Sequence, residues 1–500
     1  MDASRGATPN TRGLAAWLFL SLNFLFLLTS SGRVRTIDEV SADFEVESIA
    51  TRGSTAVPQA VASNLFFGKY DRDGKPQPPY GFGQAILTIP WYAAARFLSS
   101  TLPGIPAGGK NIFLDAVLTA SSTTFSALAA LFLFLIFLRL GISTGNALLA
   151  TLLFALGTLN FAYSAYFFSE PQVVALLLAA TLALFAGENA IPISLQRGAL
   201  AGLAIGFALW VRPTHIIVVP VFLLAIFAQD RRNSFRGLLS FATVVGIFGA
   251  AYLLRNFVLF GNVLDFGYPN IAEGGKKILG FDTPLLSGLY GFLLSPAKSI
   301  FLFAPPLLLA IPGLRLLWNR RRGLAVLAAI GPLAYLLFFS RYTQWEGGYC
   351  VGPRYMLPAM ALLCLGLGPM LEERSPWIRR AAIILLIAGI LVQLTSMATS
   401  FLEDEANGSY YDRSWNLRTN YAPLISQTKL WVHYAFSSAP AAIGRGFDRW
   451  FVFLTKAGIS QTIIALGLFL EIAGLLFCLW KLRSAWQRSL TPESRAPSSF

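Results

Sequence analysis

Histidine, cysteine and charge are scarce in this chain, and each shortage removes a class of chemistry. Its 500 residues hold 2 histidines and 3 cysteines. His215 and His433 lie far apart without ligand spacing, which argues against a histidine-based metal site or a Ser-His-Asp triad. Cys364 and Cys478 fall inside apolar runs and leave Cys350 alone in a loop, so a disulfide framework is not expected. No P-loop, EF-hand or HExxH pattern occurs, which disfavours nucleotide-driven chemistry. Only 13% of the residues are charged. The net charge of +14 is dispersed among short loops and forms no continuous stripe, so nucleic acid is not an expected partner.

What the chain has is apolar length. It is 55% hydrophobic, and runs of about 17–25 residues, each long enough to cross a bilayer, recur to its C-terminus. The fold class read from this is an all-α polytopic membrane protein. Candidate spans are 14–30, 113–138, 146–163, 171–187, 198–211, 214–228, 238–258, 300–317, 323–340, 355–371, 379–400 and 461–481. The first follows Arg5 and Arg12 and precedes no small-x-small cleavage site, so it reads as a signal anchor.

Basic loops alternate with loops of low charge. Arg139, Arg197, Arg231/Arg232/Arg236, Arg315/Arg320/Arg321/Arg322, Arg374/Arg379/Arg380 and Lys481/Arg483/Arg488 belong inside, whereas the short outer loops hold only Arg212, Arg341 and Arg354. If the N-terminus and Arg139 are both inside, the stretch 81–99 cannot cross. Its Gly81, Gly83, Gln84, Pro90 and Arg96 suit a helix lying in the outer interface, with Trp91 and Tyr92 at headgroup level. The expected organisation is a cytoplasmic N-terminus (1–13), a transmembrane module (14–258) with a large external loop (31–112), a second transmembrane module (259–481) and a disordered cytoplasmic tail (482–500). The second module carries external loops 259–299, 341–354 and 401–460. No internal repeat points to an inverted-repeat transporter.

Three constellations could carry chemistry. "RVRTIDEVSADFEVESIATRG" packs Asp38, Glu39, Asp43, Glu45 and Glu47 into ten residues. One of these is a general base beside apolar membrane surface, or the whole stretch is a solvated acidic helix whose Val40 and Phe44 dip into the interface. Asp38 and Glu39 are adjacent and must point in different directions. In "YDRDGKPQPPYGFGQ" a turn at Asp71–Gly74 sets Lys75 before a proline-stiffened segment, where it meets lipid phosphate either specifically or as any juxtamembrane lysine does. In "QWEGGYCVGPRY" paired glycines flank Trp345, and Gly352-Pro353 aim Arg354 beside Tyr355. That loop either binds phosphate through the guanidinium fork or is an aromatic-belt loop with Arg354 snorkelling to headgroups. Glu170, ahead of Pro171 in "YFFSEP", is either a functional acid or a helix cap. Asp265, Lys276 and Lys277 read as loop charges.

The order of these motifs resembles the GT-C superfamily of membrane glycosyltransferases, in particular the branch of protein O-mannosyltransferases and lipid A aminoarabinose transferases. That branch commonly carries "DE" in its first external loop, then a proline, then "KPP". Here Asp38-Glu39, Pro58 and "KPQPP" follow in that order, and "FSEPQ", "GLAIGFALWVRPT", "LRNFVLFGNVL" and "GGYCVGPRY" continue the likeness. The resemblance implies a bundle of about 12 transmembrane helices, with interfacial helices in its first external loop. It implies inverting transfer of a sugar from a polyprenyl-phosphate donor to a glycan, lipid or protein acceptor, at the periplasmic face of a bacterial inner membrane. Asp38 would be the base beside Glu39, Lys75 would contact the carrier phosphate, and Glu170 would support donor or acceptor. Ser41 and Gln77 depart from the pattern, and Arg354, Arg33 and Arg35 are the cations placed to compensate, with Trp345 and Tyr355 at the same site. The lipid-linked sugar is a substrate, no cofactor is implied, and no divalent metal is expected. A polymerase or ligase of lipid-linked glycans is the near alternative. A flippase or transporter fits less well, because the span interiors hold almost no charge.

Overall fold

The computed structural model describes residues 9–185, 193–229, 234–269, 272–273, 276–277, 280–373, 375–402, 413–436 and 448–490. The predicted spans fall on helical segments within them, apart from residues 186–187 of the span 171–187, which lie outside the described residues. Among the described residues seven helices are long and apolar enough to cross a membrane: Thr11–Thr29, Ala107–Arg139, Phe235–Phe260, Arg322–Arg341, Arg354–Glu372, Pro376–Ala398 and Gln461–Arg488. Four shorter apolar helices, Thr144–Gly157, Glu170–Phe185, Leu195–Val211 and Pro213–Gln229, fill positions between them. The predicted span 300–317 is split into Ile300–Phe303 and Leu307–Arg320. Pro305 and Pro306 stand at the break, where two missing amide hydrogens cannot continue the helical ladder. Among the described residues the strands are confined to two hairpins of two-residue strands. The predicted tail from residue 491 onward lies outside the described residues.

The acidic stretch forms the helix Ile37–Arg52. Thr36 accepts the backbone N–H of Glu39, and the Glu39 carboxylate accepts the backbone N–H of Thr36, which closes a capping box and fixes where the helix begins. Gly53 ends it at φ 63°, a conformation that favours glycine. The helix is not a solvated face. Glu39 is fully buried and Glu45 nearly so, while Ala42 and Val46 pack with Ala85, Tyr92, Leu118 and Phe167. Acidic residues read as solvated from composition alone are here enclosed by neighbouring helices.

The helix Gly83–Thr101 is anchored at both ends. At its start, a Cβ on Gly83 would come within 2.5 Å of the Val211 backbone nitrogen, at the end of helix Leu195–Val211. Beyond its exit, the Ser460 N–H donates to the Gly104 carbonyl at 3.0 Å, just before the last long helix begins. Trp450 in turn donates to the Ser30 carbonyl at the end of the first helix. Both ends of Gly83–Thr101 are therefore anchored at the ends of other helices, and among the described residues it is not one of those long and apolar enough to cross a membrane.

In the chain between the acidic helix and Gly83–Thr101 comes the hairpin Lys69–Tyr70/Pro76–Gln77. Asp71 accepts the N–H groups of Asp73 and Lys75, each at 2.9 Å, and makes the turn that the sequence predicts. Gln77 is buried, accepts from Thr55 at 2.8 Å and donates to Asp71 at 2.8 Å, so this departure from "KPP" has a structural use.

The arrangement sets up a labelling test. Gly108 is exposed and a side chain there meets nothing within 4 Å, whereas the three native cysteines are buried. Gly108→Cys is expected to react with an impermeant thiol reagent added to the outside of intact cells. Asn319→Cys, at the opposite end of the bundle, is expected to react only after permeabilisation. The reverse pattern would overturn the orientation read from the basic loops.

Candidate active site

Four charged side chains from four separate helix ends meet at the end of the bundle that carries Gly83–Thr101. Asp38 comes from the first turn of the acidic helix, and Glu170 opens the helix Glu170–Phe185. Arg212 follows the helix Leu195–Val211, and Arg354 begins the turn that leads into Leu357–Leu363. The Asp38 Oδ2 atom accepts Arg354 Nη1 at 2.7 Å and Arg212 Nη2 at 3.0 Å. Asp38 Oδ1 accepts the Tyr80 hydroxyl in a short hydrogen bond. Burial pushes the Asp38 carboxyl up, but the guanidiniums of Arg354 and Arg212 and the Tyr80 hydroxyl outweigh it. They hold Asp38 well below the usual carboxylate range.

The arginines are fixed from several sides. Arg212 Nε donates to Ser169 Oγ at 2.8 Å, and its guanidinium lies 5.3 Å from the Tyr80 ring. Arg354 lies over Phe168 at 5.1 Å and Tyr355 at 5.0 Å. Tyr355 stacks on Phe339 at 4.5 Å, which holds that wall rigid. The glycines of "QWEGGYCVGPRY" have the use their density suggests. Gly347 adopts φ 91°, and a Cβ there would press on Cys350 and on Arg354 itself. Gly352, at φ 54°, lets the chain pass Phe303. With its side chain 7% exposed, Arg354 does not snorkel to headgroups.

Glu170 completes the cluster without saturating it. Its Oε1 lies 4.0 Å from Arg354 Nε, beyond hydrogen-bond reach. Both Glu170 oxygens and Arg354 Nε are buried without a hydrogen-bond partner. Glu170 and Arg354 therefore keep hydrogen-bonding capacity that no other side chain or backbone group of the cluster uses.

Other residues singled out in the sequence sit elsewhere. Glu39 points away from Asp38: its Oε1 accepts the Phe167 N–H at 3.0 Å and its Oε2 accepts those of Arg35 and Thr36, so it anchors the helix. Arg33 and Arg35 both pair with Asp448, Arg33 at 2.9 Å, and Arg35 also lies over Tyr166 at 4.7 Å. They staple the segment before Trp450–Lys456 to the exit of the first helix. Lys75 is on the exposed hairpin turn, 3.5 Å from Asp73, outside the buried cluster. Trp345 is buried edge-to-face against Phe292 at 5.3 Å and supports the glycine loop. Asp265 is more than a loop charge, since it pairs with Lys69 and ties the hairpin to the loop after Phe235–Phe260.

Sequence reasoning missed Arg212 and Tyr80. Arg212 had a signal: it is one of three arginines in the short outer loops, where the positive-inside bias leaves few. Tyr80 had none, being one aromatic among many near a membrane surface.

No family model and no curated protein matches the chain by sequence. Among solved structures, ArnT from Cupriavidus metallidurans in the apo state superposes with a TM-score of 0.50 at 13% identity, covering 94% of this chain and 76% of ArnT. The archaeal oligosaccharyltransferase AglB from Archaeoglobus fulgidus, solved with an inhibitory peptide and a dolichol-phosphate, gives a TM-score of 0.47 at 14% identity. That match covers 86% of this chain and 60% of AglB. The likeness to ArnT carries the fold alone: this chain has the all-α, many-helix architecture of that structure.

Two further carboxyls of the acidic helix, Glu45 and Asp43, are shifted upward. Burial pushes Glu45 up to about 8, with Arg255 offsetting it only in part. Burial and the neighbouring Glu47 push Asp43 up to about 7. A carboxyl raised in this way stays protonated in the folded chain while the unfolded chain ionises. Its contribution to stability is thus full below its ordinary value of 4.5 and is lost as pH rises through about 8. The melting temperature of the detergent-solubilised protein is expected to fall between about pH 5 and 8, and Glu45→Gln to flatten that fall. An unchanged slope in Glu45→Gln would show that Glu45 is ionised in the folded state.

Proposed function

We propose that this chain is an inverting membrane glycosyltransferase that moves a sugar from a polyprenyl-phosphate carrier to an acceptor hydroxyl at the extracytoplasmic face of a bacterial inner membrane. The observation that carries this reading is the buried Arg212–Asp38–Arg354 constellation. It lies at the bundle end that the alternation of basic loops assigns to the outside. A lipid-linked donor presents its phosphate and sugar at that depth, and two guanidiniums with one carboxylate are the groups its chemistry needs. The fold shared with ArnT, a lipid A aminoarabinose transferase of the GT-C type, supports the same class.

In the proposed reaction the acceptor oxygen attacks the anomeric carbon and its proton passes to Asp38. The bond from that carbon to the phosphate oxygen breaks, and the electron pair leaves with the phosphate. Arg354 and Arg212 stabilise the charge that develops there, so no divalent metal is required. Glu170, with both oxygens unpartnered, orients donor or acceptor hydroxyls. The cation role assigned to Lys75 by resemblance passes to Arg212 and Arg354, because Lys75 stands on an exposed turn. On this reading the module 14–258 supplies the base and one cation, and the module 259–481 supplies Arg354.

Asp38→Asn keeps the shape and loses the proton acceptor, so transfer at saturating donor is expected to fall by about 10²-fold or more. Asp43→Asn, on the same helix, is expected to be mild. Arg354→Lys keeps charge without the fork and is expected to weaken donor use less than Arg354→Ala does. Equal, small losses in Asp38→Asn and Asp43→Asn, in monodisperse protein, would remove Asp38 from the chemistry.

A further inference from the structure

The geometry around Asp38 poses a problem for its use as a base. Three of the roughly four lone-pair sites of a carboxylate are occupied here, by Arg354, Arg212 and Tyr80. Two of those partners are guanidiniums, which make a carboxylate reluctant to take a proton. Yet the same cluster is unsaturated a few ångströms away, where Arg354 Nε and both Glu170 oxygens find no partner. The side chains of Arg354 and Glu170 are 7% and 4% exposed, so these orphan atoms point into the protein and not into solvent.

We infer that the donor's phosphodiester takes over Arg212 and Arg354 from Asp38, so that Asp38 becomes available to the acceptor hydroxyl only once the donor is seated. This rests on the reading of the chain as a transferase that uses a lipid-linked phosphate. A phosphate fits the guanidinium fork with two parallel hydrogen bonds, a geometry that Asp38 Oδ2, shared between two arginines, does not offer either of them.

Charge balance leads to the same order of events. Asp38 and Glu170 against Arg212 and Arg354 sum to zero. A phosphodiester adds one negative charge beside Asp38 just as the guanidiniums turn away from it, and both changes raise the affinity of the Asp38 carboxylate for a proton. The acceptor hydroxyl supplies the proton as its oxygen bonds to the anomeric carbon, and Asp38 holds it while the phosphate leaves with the electron pair. Arg212 and Tyr80 thereby acquire roles: Arg212 binds the carrier phosphate with Arg354, and Tyr80 holds Asp38 in place as the guanidiniums leave it.

Competition between Asp38 and phosphate for the same arginines gives a test that needs neither the sugar nor the acceptor. Farnesyl phosphate binding to the full chain would be measured in uncharged detergent, with farnesol as the uncharged control. Asp38→Asn removes the competing anion and is expected to tighten farnesyl phosphate by about 10-fold, even though it abolishes transfer. Tyr80→Phe loses one hydrogen bond to Asp38 but keeps both ion pairs. It leaves Asp38 without a partner once the guanidiniums have turned to the phosphate, so it is expected to weaken binding by about 2- to 3-fold, and it decides the matter if Asp38→Asn is not monodisperse. Saturable binding that Asp38→Asn leaves unchanged or weakens would overturn the exchange and make Asp38 a positioning residue for the arginines. If farnesyl phosphate binds no better than farnesol to any of the three proteins, the lipid-phosphate reading fails, and the exchange fails with it.

Discussion

Two carboxylates and two guanidiniums buried at one end of an apolar bundle are a severe constraint on everything around them. Charges removed from water are tolerated only in company, and losing one partner of a buried pair typically costs about 3–5 kcal/mol. Asp38, Glu170, Arg212 and Arg354 belong to four segments remote in sequence, so their mutual neutralisation fixes how four helix ends converge. The local devices serve that convergence. A capping box sets the start of the acidic helix, Gly347 lets Arg354 pack, and Ser169 holds Arg212 from the residue before Glu170.

A separate set of contacts closes the same end from the C-terminal side. Asp448 draws Arg33 and Arg35 together, and Trp450 binds the Ser30 carbonyl. The last long helix therefore starts beside the residues that lead into Asp38. Tyr166, between this staple and the glycine loop's partner Tyr163, is fully buried, so the two charge groups share a packed aromatic wall. The arginines expected from sequence to assist phosphate binding are thus committed to architecture. The cluster's second cation is Arg212, which stood out in the sequence as one of three arginines in the short outer loops.

The spans were legible because length and hydropathy are local properties, and charge in the loops ordered them. The reading of 81–99 as a segment that does not cross came from a parity conflict among arginines, and the helix Gly83–Thr101 found there is not one of the seven long and apolar enough to cross a membrane among the described residues. Asp38, Glu170 and Arg354 could be named as candidates from short motifs. Their meeting could not be read, because it depends on tertiary convergence. The burial of the acidic helix was hidden for the same reason, since five carboxylates in ten residues look solvated until Ala42 and Val46 are seen inside a core. Lys75 shows the converse, a residue well placed in the motif and poorly placed in space.

The central claim is that this cluster serves a donor whose sugar is carried on a lipid phosphate. Its most direct test is release of free polyprenyl phosphate from a panel of polyprenyl-phosphate sugars by the purified chain in proteoliposomes, with a mixed acceptor extract present. Acceptor-dependent release from a subset of the panel is expected, restricted to donor on the outward leaflet. Absence of release across the whole panel, in protein whose helical content and melting behaviour show it to be folded, would contradict the claim.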